Sequence, residues 1–247
     1  MRIPVFLLLL VYSVSLKGQT AKEYEELGDK YFTAAKHKKA VKAFKKATEL
    51  DSKNPDLFIK LAVASSYAGG FKEKDLVKII EIYNKAFEAK PNYIPALLSR
   101  ANYHEQMAEY HYALRDLDSI LRRADTCTDA YLLKASIYYG KKDTANGNQT
   151  YRAALKKVSP RNFYEIYRDK ARYEFGMNLY NNCLSDYLTW LKLVGGVRFY
   201  SYCELSWTYL NLNKPDSACF YYDLCDQSRG MHYKIDKEQL DEKCRKK

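Results

Sequence analysis

Apolar residues return every three to four positions along most of this chain, and the register resets at regular intervals. From Ala21, the side chains of Tyr24, Leu27, Gly28 and Tyr31 fall on one face of a helix turning about 100° per residue. A polar break, AAKHKK (34–39), follows. Ala40, Phe44 and Ala47 then share the face of a second helix. Two amphipathic helices joined by a short turn are predicted here. No stretch of useful length alternates as a strand would, so the fold class is all-α.

The same order of large and small residues recurs down the chain. A second copy has Phe58, Leu61, Ala62, Tyr83, Ala86 and Pro91, with about five extra residues around GGFKEKD (69–75). A third has Leu97, Ala101, His104, Ala113, Leu117 and Ile120; a fourth has Tyr131, Ala135, Tyr138, Gly147, Tyr151 and Ala154. The fifth has Tyr167, Ala171, Cys183, Tyr187 and Trp190, the Trp standing where a small residue is usual. The sixth has Tyr202, Leu205, Ser206, Tyr209, Ala218, Tyr222 and Cys225. Such spacing makes physical sense if two helices approach closely only where small residues face each other. Gly28 and Ala40 fill that role within the first copy, and Ala47 lets the next copy lie close.

The first copy follows the pattern W-x2-L-G-x2-Y…A-x3-F…P, with Tyr24 in place of Trp and Ser52 in place of the closing Pro. The chain therefore resembles the tetratricopeptide repeat family over about residues 21–232. The resemblance implies a right-handed α-solenoid of about six antiparallel helix pairs, at about 21–54, 55–93, 94–127, 128–163, 164–198 and 199–232. Residues 233–247 are expected to add a polar capping helix and a basic tail, because stacked repeats need a soluble end.

Family resemblance also implies the function. It points to a non-catalytic scaffold or adaptor that binds a protein or peptide in a concave groove lined by the first helix of each pair. First-helix residues not used in packing should line that groove: Glu25 and Asp29, Ile59 and Val63, Leu98 and Asn102, Leu132 and Ser136, Arg168 and Arg172, then Cys203 and Trp207. Of these, Asp29, Asn102, Leu132, Arg168, Arg172 and Trp207 are the candidate partner-binding residues. Arg168 and Arg172, four apart, share a helix face and suit a carboxylate or other anion; the competing reading pairs them with Glu165 and Asp169. The Lys/Asn clamp that one subgroup uses for acidic tails is not matched, since Glu25 and Asp29 occupy its first-repeat positions. Alternatives to the scaffold are an accessory subunit of an envelope enzyme or assembly complex, and an electrostatic binder of anionic surfaces.

Charge and the N-terminus narrow the partners. Residues 1–18 begin with Arg2 and run apolar from Ile3 to Leu16, too short for a bilayer-spanning helix of about 20 residues and matching a cleavable signal peptide. Cleavage after Gly18, with a cut after Ser15 as the alternative, is expected; the former would remove two cations from a net charge of +11, leaving +9 and no integral membrane segment. Export is expected, to a periplasm or the exterior, with a eukaryotic secretory lumen as the alternative. It takes nucleic acid out of reach. Lys38, Lys39, Lys42, Lys45 and Lys46 fall on one arc of the second helix, opposite Ala40, Val41, Phe44 and Ala47. They read as the solvated back of a packed helix, available for weak contact with an anionic surface. No aromatic residue is interleaved, as a single-strand platform requires.

Candidate chemistry is sparse. Six cysteines, Cys127, Cys183, Cys203, Cys219, Cys225 and Cys244, include no CxxC pair. Export permits disulfides, but a chain of this size does not need them, and buried free thiols are the preferred reading. His37, His104, His111 and His232 have no metal-ligand spacing, YAGGFK (67–72) is no phosphate cradle, and no Ser sits in a nucleophile elbow. No cofactor and no enzymatic activity are expected. NQT (148–150) matches a glycosylation sequon and should lie near a helix start.

Overall fold

The computed structural model describes residues 19–195, 199–225 and 237–245. Their regular structure is helical throughout, in two compact units, Met1–Glu109 and Tyr110–Lys247. The first unit holds α1 (Ala21–Thr33), α2 (His37–Leu50), α3 (Pro55–Gly69), α4 (Leu76–Ala89) and α5 (Ile94–Gln106). The second holds α6 (Tyr110–Arg123), α7 (Thr128–Gly140), α8 (Thr144–Lys157), α9 (Phe163–Gly176), α10 (Tyr180–Val194), α11 (Phe199–Asn211), α12 (Pro215–Leu224) and α13 (Lys237–Arg245). Helices pack in succession within each unit, with α1–α2 and α3–α4 the pairs of the first and α7–α8, α9–α10 and α11–α12 those of the second: an all-α repeat solenoid. Residues 1–18, where a signal peptide is expected, lie outside the described residues.

Local chemistry starts the helices. Thr20 and Glu23 form a reciprocal capping box at α1, with the Glu23 N–H on Thr20 Oγ1 at 3.2 Å and the Thr20 N–H on Glu23 Oε2 at 2.7 Å. Asn54 caps α3 ahead of Pro55, whose missing N–H costs nothing at a first helical position. One turn shape ends five of the helices, α1, α5, α7, α9 and α11. Ala35, Ala108, Lys142, Asn178 and Asn213 all take positive φ, between 55° and 62°. In each case the following N–H closes back on the carbonyl five residues earlier: Lys36 on Tyr31, Glu109 on His104, Asp143 on Tyr138, Leu179 on Glu174 and Lys214 on Tyr209, at 2.8–3.0 Å. In the second pair the extra residues change the turn. Gly70 and Phe71 are both left-handed there, and a 3-10 turn (Glu73–Asp75) precedes α4.

Packing follows the small-and-large pattern. Gly28 lies under the Phe44 ring; a Cβ at Gly28 would stand 2.4 Å from Phe44 Cε1. A Cβ at Gly147 would likewise stand 2.4 Å from the Tyr139 ring. Ala40, Ala47, Ala62, Ala101, Ala135, Ala154, Ala171 and Ala218 are fully buried. Trp190 is buried too, in the core of Ala171, Phe175, Cys183, Tyr187 and Tyr202, so the fifth repeat accommodates a large residue at a usually small position.

Tyrosine is frequent, 24 residues in all, and its use is specific. Phe44, Tyr83, Leu117, Tyr151, Tyr187 and Tyr222 occupy one repeat position, on the second helix. Each Tyr of this series is fully buried and places its hydroxyl on the next first helix or the cap: Tyr83 with Ser99 Oγ at 2.9 Å, Tyr151 on Asp169 at 2.7 Å, Tyr187 on Glu204, and Tyr222 on Asp241 at 2.8 Å. Lys60, at 6.0 Å from the Phe44 ring, replaces this contact after the first pair, and an Asp118–Lys134 ion pair at 2.6 Å replaces it beside Leu117. The ring fills the core while the hydroxyl fixes how one pair docks on the next.

Two disulfides, Cys203–Cys225 and Cys219–Cys244, correct the expectation of free thiols; Cys127 and Cys183 stay unpaired. Size does not call for them, but position does. The first joins α11 to the C-terminal end of α12, and the second ties α13 to α12. Under α13, Leu240 is fully buried and Arg245 stacks on Tyr222 at 5.2 Å.

Candidate functional site

The first-helix face of each unit carries the candidate groove residues. In the first unit, Lys60 of α3 reaches back to α1 and bridges Glu25 Oε1 at 2.7 Å and Asp29 Oδ2 at 2.6 Å. Burial opposes the Lys60 charge, but the hydrogen bonds to Asp29 and Glu25 outweigh it and hold its pKa above the ordinary value. Asp29 and Glu25 are therefore engaged with each other's cation rather than free to meet a partner. One residue later than Ile59, Lys60 was readable as a basic neighbour on the adjoining repeat. Ile59 itself packs toward Phe58, Ala86 and Ala96.

Val63, Leu98 and Asn102 are brought together. They line a cavity of about 360 Å³ between α3 and α5, with Ser66, Tyr67, Phe71, Tyr83, Pro95, Ser99, Tyr103 and Gln106 completing the wall. No lining residue is charged. Asn102 Nδ2 donates to the Leu98 carbonyl at 3.1 Å and is otherwise exposed. Tyr67, Phe71 and Tyr103 were missed in sequence because they sit toward helix ends and in the extended turn, outside the one-face rule used to select groove positions; Tyr83, in the middle of α4, was read as packing. Burial pushes the phenols of Tyr83 and Tyr103 up to about 12.

In the second unit, Arg168 and Arg172 are exposed one turn apart on α9, and among the described residues neither is in ion-pair contact with a carboxylate. The acids considered as their partners are engaged elsewhere: Glu165 accepts from Tyr164 at 2.9 Å and Asp169 from Tyr151. Leu132 is half-buried against the core of Tyr131, Ala135 and Tyr151, and Trp207 against that of Tyr187, Trp190 and Cys203. Cys203 is removed from the groove set by its disulfide. Behind Arg168, a buried ionic group forms where Lys170 meets Asp186 and, at 3.0 Å, Glu174. Glu174 is fully buried, and desolvation raises its carboxyl to about 7 against the opposing pull of Lys170.

A tetratricopeptide repeat sequence model matches residues 21–54 and 199–229, the first and last repeats. Those two stretches are tetratricopeptide repeats. Over 114 residues, 46% of its length, it is 28% identical to the mitochondrial import receptor subunit TOM70 of Saccharomyces cerevisiae, of which it spans 18%. Among solved structures, a tetratricopeptide repeat protein from Parabacteroides merdae superposes with a TM-score of 0.64 at 18% identity, covering 97% of this chain and 88% of that one. PilW, a type IV pilus biogenesis factor, gives 0.65 at 15% identity over 90% and 97%. These likenesses carry the fold.

The first unit offers a second concavity, on the side of its second helices. A cavity of about 1200 Å³ opens between α2 and α4 over Phe58, Leu61 and Ile79. Its rim mixes Lys38, Lys45, Lys53, Lys78 and Lys85 with Glu49, Asp75, Glu81 and Glu88, so the lysine arc of α2 is interrupted by acids and gives no field of one sign. Among the described residues, no group of three or more His, Cys, Asp or Glu is arranged to hold a metal, and no helix is long and apolar enough to cross a membrane. The NQT site lies inside α8, with Asn148 Oδ1 accepting from Tyr139 at 2.9 Å.

Proposed function

We propose that the chain is a non-catalytic scaffold that captures a protein partner on its first-helix face, in an exported compartment. The observation that carries this is the α3–α5 cavity. It is preformed, uncharged and framed by Val63, Leu98 and Asn102, three residues that the repeat pattern leaves free of packing duty. TOM70 is an import receptor subunit and PilW a biogenesis factor by name, which fits a binding role without specifying this chain's partner. Export is supported by the apolar N-terminal run and by two disulfides that cytosolic thiol buffers would keep reduced.

A photo-crosslinking amino acid tests the reading. It is placed at Asn102 on the first-helix face and, as control, at Lys46 on the lysine arc, in the chain's own host. A discrete protein adduct at Asn102 and none at Lys46 is expected. Adducts at Lys46 alone, or only background at both positions, would overturn the proposal. Peptide mapping without reduction checks the compartment: Cys203, Cys219, Cys225 and Cys244 recovered as free thiols from the host would remove the export reading.

A further inference from the structure

The seat that α13 fills on α12 has the chemistry of a first-helix position, and we infer that it is a docking site for α1 of a second copy of this chain, kept covered by α13. The buried tyrosines define what such a seat receives. Tyr83 meets Ser99 Oγ at 2.9 Å, Tyr151 donates to Asp169 at 2.7 Å, and Tyr187 donates to Glu204. Each of these acceptors stands two residues before the small residue of its first helix, Ala101, Ala171 or Ser206. Tyr222 of α12 is fully buried and donates to Asp241 of α13 at 2.8 Å. The match continues one turn on. Four residues after Ser99, Tyr103 meets the Tyr83 ring at 6.3 Å; four residues after Asp241, Arg245 stands over the Tyr222 ring at 5.2 Å. So α13 touches Tyr222 in the register of a first helix, with an acid for the hydroxyl and a cation for the ring.

The same pair stands on α1. Two residues before its small residue Gly28 is Glu26, and four residues after Glu26 is Lys30. Both are exposed, and among the described residues neither side chain is in an ion pair; Lys60 takes Glu25 and Asp29 instead. In α5, α9 and α11 the acceptor position is already spent on the preceding second helix of the same chain. On α1 it is open. Laid on Tyr222 in the register of α13, α1 of a second copy sets Glu26 on the hydroxyl and Lys30 over the ring. This charge match selects the occupant.

The cover is lightly held. It is nine residues long, buries Leu240, and is pinned by Cys219–Cys244. A free helix of that length is not stable in water, so α13 stays formed only while it is seated. Cys219 and Cys244 are half-buried, whereas Cys203 and Cys225 are buried, so a dithiol meets the outer bridge first. Its first thiolate breaks the S–S bond and joins one cysteine. Its second displaces that cysteine, and the dithiol leaves oxidised with Cys219 and Cys244 as thiols. With the pin open, α13 yields the seat and chains add head to tail. Two different surfaces meet in this contact, so it does not close on itself in a pair.

Sedimentation velocity tests this by comparing the parent with an open chain, Cys219→Ser/Cys244→Ser/Leu240→Asp, which lacks both pin and anchor. The parent should stay monomeric, and the open chain should associate with a Kd of about 0.1 mM or tighter and grow past the dimer. Adding Glu26→Lys to the open chain changes an exposed residue, so the fold survives, and should weaken association about tenfold or more. Lys42→Glu, exposed on α2, should leave it unchanged. A mixture separates docking from misfolding: the parent offers α1 but not the seat, and the open Glu26→Lys chain offers the seat but not α1. Each alone should be monomeric, and together they should form a one-to-one complex. A dithiol should move the parent toward association. The inference is overturned by an open chain that stays monomeric, a parent that associates as strongly as the open chain, association indifferent to Glu26→Lys, a mixture without a complex, or a parent unmoved by the dithiol.

Discussion

Tyr151→Phe tests whether the tyrosine hydroxyls hold successive repeats together. The substitution keeps the ring, which is 1% exposed, and removes one O–H. That O–H donates at 2.7 Å to Asp169, an acid enclosed enough that burial raises its pKa while the Tyr151 bond and the nearby Arg172 and Arg168 pull it back down. A hydrogen bond to a charged group contributes about 1.5–3 kcal/mol. No cavity term is added, since the ring stays, so the loss at pH 7 should fall in that range. The sign of its pH dependence is also set. The bond favours the Asp169 carboxylate, so its loss raises the folded pKa further above the unfolded value of 3.8. Below 3.8 the acid is protonated in both states and the bond to the charged form no longer counts, so the penalty should shrink as pH falls from 7 toward 4. Urea unfolding followed by tryptophan fluorescence reads the second unit alone, because Trp190 and Trp207, the chain's two tryptophans, both lie there with Tyr151 and Asp169. A loss under 0.5 kcal/mol, or one that is flat with pH, would refute the docking role of this hydroxyl; 0.5 is roughly the floor for a net hydrogen bond.

Other perturbations test separate parts of the structure. Gly147→Ala should destabilise the second unit by about 1–3 kcal/mol by driving a Cβ into the Tyr139 ring, whereas Gly140→Ala, with nothing within 4 Å of its Cβ, should stabilise it by about 0.5–1 kcal/mol; the same fluorescence melts decide, and equal effects would dismiss the close approach. Glu174→Gln should flatten the pH dependence of stability: a carboxyl raised from 4.5 to about 7 contributes stability that is full below pH 4.5 and lost as pH rises through 7, and a glutamine does not titrate. An unchanged pH profile from 4.5 to 7 would show that Glu174 does not carry it. Cys244→Ser opens a bridge of 25-residue separation, a loss of about 3–4 kcal/mol in the loop-entropy account. Amide exchange at α13 should rise selectively, and protection equal to the parent would show that Leu240 and Asp241 hold this helix without the bridge.

The repeat was legible because close packing writes itself into sequence. Gly28, Ala40, Phe44 and Ala47 can be nothing else at those spacings, and six copies keep register across insertions. The backbone turns were not legible. Left-handed residues at Ala35, Ala108 and Lys142 carry no glycine signal, since the closing hydrogen bond and the packed helices on either side impose the conformation against side-chain preference. Disulfide pairing was equally hidden, because six cysteines allow 15 pairings and only the docking of α11, α12 and α13 brings particular sulfurs together.

Site legibility divides along the same physical line. A one-face rule finds positions that point away from the core, and it placed Val63, Leu98 and Asn102 on a common cavity. It is blind to whether a group is already spent. Asp29 and Glu25 looked like an open acidic end, yet a lysine on the next repeat holds both. For Arg168 and Arg172 the sequence left an anion site and pairing with Glu165 or Asp169 both open, and Asp169 is taken by a tyrosine from the preceding repeat. In both cases the deciding partner sits on the neighbouring repeat, 31 and 18 residues away. Sequence-adjacent charges are poor guides to pairing in a stacked array, because each first helix faces its neighbours more than itself. Among the described residues, this cross-repeat pairing leaves Arg168 and Arg172 without an ion-pair contact in one unit and a cavity without a charged wall in the other.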